Sequence, residues 1–564
     1  MKYLSLLLAL VMMLAIPLQF TACRLLPHDE GTLPPIVGET YLAEESASPS
    51  TTSTTSTTST TKPTDTTIEI EYDKGELENM MTPEKYGISS NDIAAILEGY
   101  RKAGLSMHGM VVMRHGEVVA EAYAEPFDAD TLHRMYSVSK SFVSLAIGAL
   151  EADGLISIND TIDQYFPDYV NENTDPRIAK TKIVDLLRMA SPFRKGSTYK
   201  GKTDMNWVET FFVAPVGKEP GTEYLYDTSA TYILDVIVER VTGKPFLEYL
   251  KDKALREIGF SEDAWCVKAP EGYSWGGSGV MCTPRDLAAV ANLVMNKGVY
   301  NGKQLLPADY LEQATKKQIE TAAVEGDSEY YGMGYGYQIW INPYGFSFMG
   351  MGNQHAFCIP ELDLVFVCTA DNQGNSSAVE TIYRLMVDNL IKKISDEPLP
   401  EDPAAYAKLQ AEIDGMSIPY QKGLATSARV DAVNGKTFVC TGSSDISSFR
   451  LDFNGDVGVL TYVTSRGEKQ LTFGIGKNVE CILDEPQYSG ELINHPNGKG
   501  YRSYCSGAWT NATTFALKVQ VVDDYLGNMT MTFDLDSNPS LTVTKTAEWF
   551  LDEYKMSNVS YRMQ

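Results

Sequence analysis

The stretch Met135-Tyr-Ser-Val-Ser-Lys-Ser-Phe142 opens an apolar run that continues to Gly154. Its pattern predicts the start of a helix, with Ser137 as an N-cap residue and apolar side chains following at helical spacing. These apolar residues are Phe142, Leu145, Ala146 and Ala149. Ser137 and Lys140 are three residues apart, so on a helix their side chains lie on the same side, one turn apart. The stretch therefore predicts a hydroxyl and an amine within reach of each other.

This pair has the chemistry of a nucleophile and its base. A serine hydroxyl attacks poorly until a base takes its proton, and a lysine whose pKa is lowered by burial can be that base. The free N–H groups at a helix N-terminus also stabilise a developing oxyanion. We therefore expect Ser137 to be a nucleophile activated by Lys140. The alternative is an ordinary N-cap serine followed by a surface lysine.

The same Ser-x-x-Lys pattern occurs a second time, at Ser197-Thr-Tyr-Lys200. That copy belongs to a basic, glycine-bearing segment, Arg194–Lys202, which has no helical pattern to orient the two side chains. The structural context of a motif decides its meaning, because the pattern alone is weak. We therefore expect the Ser137 copy to be the functional one.

The composition of the chain limits its partners and its chemistry. A formal charge of −27 over 564 residues repels nucleic acids and anionic membrane surfaces, so we expect no nucleic-acid partner. None of the six histidines forms a zinc-binding H-x-H or H-E-x-x-H pattern, and Gly-x-Ser-x-Gly and Walker motifs are also lacking. The cysteines after Cys23 show no C-x-x-C spacing, so we expect most of them to be core residues. These observations favour a hydrolytic site that needs no metal and no cofactor.

The first residues have the features of an export signal. The charged pair Met1-Lys2 is followed by an apolar stretch, Leu4–Pro17, which is too short for a good membrane span. The small residues before Cys23 resemble a bacterial lipoprotein cleavage site. We expect a signal peptide over residues 1–22 and a lipid on Cys23 that anchors the protein outside the cytoplasmic membrane; the alternative is a secreted protein. Residues 23–68, rich in Ser and Thr, predict a disordered tether because they can bury no face.

Residues 80–395 predict a first folded domain. Hairpins are expected over Met110–Ala124 and over His355–Cys368, with helical patterns between them. Thr283-Pro-Arg-Asp286 is typical of a helix start, with Thr as the N-cap and Pro in the first position. We therefore expect an α+β fold in which helices flank an antiparallel sheet built from distant segments, together with a helical subdomain.

The remainder of the chain predicts a linker and a second domain. Residues 396–423 contain one helical pattern, and residues 424–564 alternate strand-like runs with turns, which predicts an all-β domain. Within it, Asn454-Gly455 between two alternating runs is typical of a type I′ hairpin. A short helix is expected to close the chain at residues 546–554.

A serine–lysine site needs a second group that carries a proton to the leaving group. Tyr226 is the candidate, because it follows Pro220-Gly-Thr and directly precedes an apolar helical pattern. A nearby lysine ammonium lowers the pKa of a tyrosine, which suits a proton shuttle. Considered alone, a tyrosine in front of a helix is more often a packing residue.

Four stretches occur in an order that is typical of one enzyme family. They are Ser137–Lys140, Pro220–Thr228, Gly276-Gly-Ser-Gly-Val280 and the hairpin at Gln354. Together they resemble the serine β-lactamase-related family, which includes class C β-lactamases, D-alanyl-D-alanine carboxypeptidases, and related esterases and amide hydrolases. The resemblance covers about residues 80–395 and implies a β-lactamase-like fold. The C-terminal domain resembles, more weakly, the lipocalin-like β-domains appended to some of these hydrolases.

The resemblance also implies a role for individual residues. Ser137 would be the acylated nucleophile, Lys140 its activating partner, and Tyr226 the proton shuttle of the family's Tyr-x-Asn/Ser motif. Thr228 occupies the third position of that motif, where it retains a hydroxyl.

The family's third motif, Lys/His-x-Gly, is expected at Met351-Gly-Asn-Gln354. Met351 then stands in the place of the cation, and Asn353 replaces the usual second glycine. Gly352 and Asn353 are expected at the substrate, and the N–H of Gln354 would join that of Ser137 in an oxyanion hole. Because the cation would hold a substrate carboxylate, its absence disfavours β-lactams and D-alanyl peptides.

These observations together predict an exported, lipid-anchored serine hydrolase. It would form an acyl-enzyme on a small, neutral ester or amide substrate, with β-lactams or D-alanyl peptides as alternative substrates. The rival hypothesis is an inactive member that keeps the fold and serves as a surface binding protein. The replacement at Met351 favours that rival, whereas the retention of Ser137, Lys140 and Tyr226 together favours the enzyme.

Overall fold

The computed structural model describes residues 80–200, 205–326, 328–484, 500–546 and 559–563, and the structural statements below concern these residues. They belong to the second of two compact units, which spans residues 68–564. The predicted signal peptide, Cys23 and the Ser/Thr-rich tether lie outside the described residues.

An antiparallel sheet forms the centre of the N-terminal part. The strands of this part are β1 Met107–Arg114, β2 Glu117–Tyr123, β3 His133–Arg134, β4 Trp265–Cys266, β5 Val280–Cys282, β6 Val299–Tyr300, β7 Lys303–Gln304, β8 Trp340–Asn342, β9 Gly345–Gly350, β10 Gln354–Ile359 and β11 Leu364–Ala370. Within the described residues the main sheet has the strand order β2-β1-β11-β10-β9-β8. The first hairpin of the chain therefore pairs with the last strand of the domain, which agrees with the predicted antiparallel sheet of distant segments.

Helices cover both faces of this sheet. They are α1 Ser90–Lys102, α2 Ser139–Ala152, α3 Pro176–Ala179, α4 Ile183–Leu187, α5 Trp207–Phe212, α6 Thr228–Thr242, α7 Phe246–Lys253, α8 Pro284–Met295, α9 Ala308–Ala314, α10 Ala322–Glu325 and α11 Ala378–Met386. Successive strand residues point to opposite faces. Val367 accordingly shares a buried cluster with Phe142 of α2, whereas its neighbour Phe366 shares one with Ile96 of α1. Both faces are buried, which fixes the register of the strands.

The helical subdomain between α3 and α7 is centred on stacked aromatic rings. Trp207 of α5 stacks on Tyr199 with ring centroids 4.0 Å apart, and its edge meets Trp275 at 5.4 Å and Tyr232 of α6 at 5.6 Å. Tyr199 belongs to the segment of the second Ser-x-x-Lys copy. This packing therefore ties that segment to the helix that follows Tyr226.

The C-terminal part is a β-barrel. Its strands are β12 Thr437–Cys440, β13 Ile446–Asn454, β14 Val457–Thr464, β15 Gly467–Ile475, β16 Val479–Leu483, β17 Tyr501–Trp509, β18 Thr514–Val522, β19 Leu526–Asp534, β20 Ser540–Thr546 and β21 Val559–Met563. In the described residues neighbouring strands are antiparallel, and a parallel pairing of β15 with β17 closes the ring. The interior is filled with aromatic side chains, among them Phe449, Phe473, Phe515 and Trp509.

Strand β16 lies outside the closed ring, against β17. A disulfide joins Cys481 of β16 to Cys505 of β17. The cysteine spacing had given no indication of this pair. Four other cysteines, Cys266, Cys282, Cys358 and Cys368, are free and buried, as expected for core residues.

The element predictions are confirmed for the two hairpins of the first domain and for α8, where Thr283 and Asp286 form a reciprocal capping box. The linker helix is also confirmed, as α12 Pro403–Asp414. It packs on α1, where Arg101 donates to Glu412 at 3.0 Å.

Other expectations are wrong or lie outside the described residues. The barrel hairpin places Asn454 opposite Val457, so its two loop residues begin at Gly455, one position later than predicted. Of the expected closing helix only Thr546, the end of β20, is described, and the chain continues to strand β21. The prediction also missed β8 and β9, because β8 has only three residues and β9 begins and ends with glycine.

Candidate active site

Ser137 lines a cleft and lies in a one-turn 3₁₀ helix, Tyr136–Val138, that leads into α2. Its side chain does not cap the helix, so the prediction of an N-cap serine is wrong. The turn is instead fixed by its neighbours: Ser139 Oγ accepts a hydrogen bond from the Val280 N–H at 2.9 Å. The side chain of Ser137 therefore remains available for chemistry.

Lys140 lies directly behind Ser137, as the spacing predicted. Its Nζ is 3.0 Å from Ser137 Oγ and 2.5 Å from the carbonyl oxygen of Gly277. Only 1% of Lys140 is exposed. Gly277 must be small here, since an added Cβ would lie 2.5 Å from Thr228 Cγ2. The amine is thus held between the nucleophile and one backbone carbonyl.

Tyr226 lies next to both Ser137 and Lys140. Its hydroxyl hydrogen-bonds Ser137, and its ring centroid is 5.1 Å from Lys140 Nζ. The ring also stacks on Trp340 at 5.6 Å. Burial raises the pKa of Tyr226, and the hydrogen bond to Ser137 offsets this only in part. The expectation that the nearby lysine lowers the pKa of this tyrosine is therefore wrong, because loss of hydration dominates. The phenol stays protonated at neutral pH and is a proton donor.

Asp227 is a site residue that the sequence did not reveal. Its carboxylate is buried, caps α6 by accepting from Ser229 N at 2.9 Å, and accepts from Ser191 Oγ at 2.7 Å. It also accepts from Ser197 N at 2.9 Å. Asp227 therefore fixes Tyr226 and the segment around Ser197 together. Its position between Tyr226 and the start of a helix was the available signal.

The end of strand β9 forms the opposite wall. A Cβ added to Gly350 would lie 2.5 Å from the Met135 carbonyl oxygen and 3.2 Å from Ser137 N. Only glycine therefore fits against the turn Tyr136–Val138, here called the nucleophile turn. The glycine of the third motif is thus Gly350, which places the motif at Phe348-Met349-Gly350. The assignment to Met351–Gln354 was three residues too late. Phe348, which is fully buried, then stands where the family has its cation.

The hairpin after Gly350 carries the remaining predicted residues. Met351, Gly352 and Asn353 line the cleft. Gln354 does not belong to the lining residues and is fully buried. Its side chain donates to the carbonyl oxygens of Met351 at 2.9 Å and Ala370 at 2.6 Å. The side chain of Gln354 therefore braces the turn, and the role of its backbone N–H as the second oxyanion donor stays a prediction.

The cleft has a volume of about 600 Å³. Besides Ser137, Tyr226 and Thr228, it is lined by Ser197, Lys200, Glu325, Tyr331, Trp340, Met351, Gly352, Asn353 and Asn372. The second Ser-x-x-Lys copy thus lies at the same cleft. Its Lys200 is exposed, and Ser197 has a positive φ of 58°, so this pair lacks the helical frame of the first.

The described residues contain no cluster of three or more His, Cys, Asp or Glu side chains that could hold a metal ion. They also contain no helix with both the length and the apolar character needed to cross a membrane.

A family model described as Beta-lactamase matches residues 91–388, more than half of the chain. The chain belongs to this family. This confirms the resemblance inferred from the sequence, and it places the chain among the serine hydrolases of the family. The match ends before the barrel begins.

A 6-aminohexanoate-dimer hydrolase of Paenarthrobacter ureafaciens is 29% identical over 216 residues, which are 36% of this chain and 55% of that enzyme. The chain thus spans about half the length of this relative. A D-amino acid amidase of Ochrobactrum anthropi is 17% identical, with a TM-score of 0.44, over 54% of this chain and 99% of the amidase. An octameric penicillin-binding protein homologue of Pyrococcus abyssi is 17% identical, with a TM-score of 0.42, over 83% of this chain and 98% of that chain.

Proposed function

We propose that the protein hydrolyses a small ester or amide through an acyl-enzyme on Ser137. The observation that carries this proposal is the 3.0 Å contact between Lys140 Nζ and Ser137 Oγ at the cleft. An ordinary surface lysine would be hydrated, whereas this one is buried and directed at a hydroxyl. Tyr226 supplies the proton donor that acyl transfer also needs.

Acylation follows from this geometry. Lys140 Nζ takes the proton of Ser137 while Oγ bonds to the substrate carbonyl carbon, whose oxygen becomes an oxyanion. Tyr226 donates its proton to the leaving nitrogen or oxygen as the bond to the carbonyl carbon breaks. The proton held by Lys140 then restores the neutral phenol. For hydrolysis, water attacks the ester of Ser137 with the same two groups moving protons in the reverse sense.

The oxyanion would lie between two backbone N–H groups. One is that of Ser137. We assign the other to Met351 rather than to Gln354, because Gly350 passes against Ser137 N and the residue after it lines the cleft. Thr228, Gly352 and Asn353 remain candidates for substrate contact.

A neutral acyl group fits the cleft best. Phe348, an apolar and fully buried residue, stands where the family has the cation that would hold a substrate carboxylate, which disfavours β-lactams and D-alanyl peptides. The exposed Lys200 at the cleft is the group through which such a substrate could still bind. The 29% identical relative is named as a hydrolase of an aminohexanoate dimer, which supports an amide as the scissile group.

The test is covalent labelling with a fluorophosphonate, measured by intact mass. We expect one adduct on the wild-type protein, none on Ser137→Ala, and an unchanged adduct on the matched control Ser197→Ala. A wild-type protein that is not labelled, or a Ser137→Ala variant that is, would contradict the proposal. The first of these outcomes would favour the inactive surface binding protein.

We also propose export with a lipid on Cys23, on the strength of the N-terminal sequence alone. Wild type should partition with membranes, and Cys23→Ser should not. The barrel is proposed to be lipocalin-like because its strands are sequential antiparallel neighbours. Since aromatic side chains fill its interior, we do not assign it an internal ligand.

A further inference from the structure

The residue before the nucleophile has an unusual backbone conformation. Tyr136 has φ of +46°, in the left-handed region that bulky residues rarely adopt, and only 1% of it is exposed. A residue held in this region persists when its surroundings fix it. What fixes Tyr136 is therefore also what orients Ser137.

The barrel supplies those contacts, through the turn between β18 and β19. The N–H of Leu526 donates to the Tyr136 hydroxyl at 3.0 Å, and that hydroxyl lies 3.4 Å from the Leu526 carbonyl oxygen. Residues 523–526, here called the barrel turn, thus bind the tip of the Tyr136 side chain on both sides.

Arg134 forms a second link to the same turn. Its guanidinium lies between rings, 4.9 Å from the centroid of Tyr136 and 4.7 Å from that of Tyr525. It also donates to the carbonyl oxygens of Asp524 at 3.2 Å and Ser278 at 2.6 Å. A guanidinium that contacts two tyrosine rings and donates to two carbonyl oxygens joins the nucleophile turn, the barrel turn and the segment before β5.

A further segment at the cleft, residues 371–373, is held by the barrel turn and by β19, the strand that follows it. Asn528 Nδ2 donates to Asp371 Oδ2 at 2.6 Å, and Gln373 Nε2 donates to the Leu526 carbonyl oxygen at 3.3 Å. Asn372, which lines the cleft, lies between Asp371 and Gln373 in the chain. The barrel turn therefore contacts both the segment before Ser137 and the segment that carries Asn372.

We propose that the barrel turn is a positioning element of the active site, which holds Tyr136 in its left-handed conformation and thereby sets the orientation of Ser137. The proposal rests on the proposed function, because it assumes that Ser137 is the nucleophile. It goes beyond family membership, since the barrel lies outside the residues that the family model matches. Tyr136, Arg134 and Tyr525 act as positioning residues and do not touch the substrate.

The experiment compares Tyr136→Phe with the matched control Tyr561→Phe in the full chain. Tyr561 is equally buried and donates to the Ile446 carbonyl oxygen at 2.7 Å, wholly inside the barrel. Both variants thus lose one buried tyrosine hydroxyl. We expect the first-order acylation rate by a fluorophosphonate to fall about tenfold or more in Tyr136→Phe, since small misplacements of a reacting atom are costly. The apparent affinity for the probe and the fully labelled fraction should stay unchanged.

The control should label within twofold of wild type, and both variants should unfold at similar temperatures. A double variant with Tyr525→Ala should be slowed by less than the product of the single effects, because both act through one contact. Acylation of Tyr136→Phe within twofold of wild type, or equal slowing by Tyr561→Phe, would overturn the proposal.

A readout without chemistry separates this proposal from the proposed function. Amide hydrogen exchange around residues 135–139 should be faster in Tyr136→Phe than in wild type, with no such change in Tyr561→Phe. If wild type is not labelled but this exchange difference is found, the proposed function fails while the positioning role of the barrel turn stands. Unchanged exchange would refute the positioning role by itself.

Discussion

Gly350→Ala is the substitution that tests the wall opposite the nucleophile most severely. The new Cβ would be 2.5 Å from the Met135 carbonyl oxygen and 3.2 Å from Ser137 N. Both contacts are to backbone, so neither can be relieved by rotating a side chain, and β9 and the nucleophile turn must move apart. Overpacking of this kind costs about 1–3 kcal/mol of stability.

The effect on catalysis should be larger than the effect on folding. A relative shift of this wall by a sizeable fraction of an ångström moves the Met351 N–H away from the oxyanion, and misplacements of about 1 Å can cost about a hundredfold in rate. We therefore expect the acylation rate constant of Gly350→Ala to fall about thirty- to a hundredfold, with a folded protein still present at 25 °C.

The assay is time-resolved labelling with a fluorophosphonate, combined with urea unfolding. Gly442→Ala is the matched control, because that glycine has no heavy atom within 4 Å of an added Cβ and no positive φ. It should match wild type in both measurements. If Gly350→Ala is acylated within threefold of wild type, the position of Gly350 against Ser137 does not shape the site, and the reasoning is refuted.

Three further substitutions test the electrostatics of the molecule. Tyr226→Phe should lower kcat about a hundredfold. Because burial raises the pKa of Tyr226, the wild-type pH–rate profile should show no loss of rate from ionisation of this tyrosine between pH 8 and 10. Such a loss of rate would contradict the assignment of Tyr226 as the proton donor. Glu325 is a half-buried carboxylate at the cleft and pairs with no cation among the described residues. Glu325→Gln should therefore lower kcat/KM for ammonium-bearing substrates more than for neutral ones. Equal effects on both kinds of substrate would show that Glu325 does not interact with substrate charge. Burial raises the pKa of Asp371 to about 6, so the folded state favours its protonated form. The free energy of unfolding of wild type should therefore rise by about 1 kcal/mol relative to that of Asp371→Asn when the pH falls from 7.5 to 5, as measured by urea unfolding. A difference between the two proteins that does not depend on pH would contradict the shift.

The sequence predicted those parts of the fold and the candidate site that depend on local patterns. The pair Ser137 and Lys140 lies on consecutive turns of one helical segment, so its geometry follows from spacing alone. The capping box at Thr283 and the two hairpins of the first domain are local in the same sense. Tyr226 was found from its place before a helix, and the structure brings it to Ser137.

The errors arose where a residue's role depends on a contact with a distant segment. The motif glycine was placed three residues too late, at the position of Asn353, because only the contact with Ser137 identifies Gly350 as the residue that faces the nucleophile. The pKa of Tyr226 was expected to fall, because a sequence shows neighbouring charges but not the loss of hydration. The contact between Tyr136 and Leu526 joins residues 390 positions apart, which no local pattern indicates.

The acyl-enzyme itself offers the most direct test of the central claim. Wild-type protein mixed with a chromogenic ester such as p-nitrophenyl acetate and quenched in acid should gain the mass of one acyl group, and peptide mapping should locate that group on Ser137. Lys140→Met should accumulate little or no adduct, since the base is then missing. An acyl group on Ser197, or turnover of the ester with no adduct on Ser137 under conditions that trap intermediates, would contradict the assignment of Ser137 as the nucleophile.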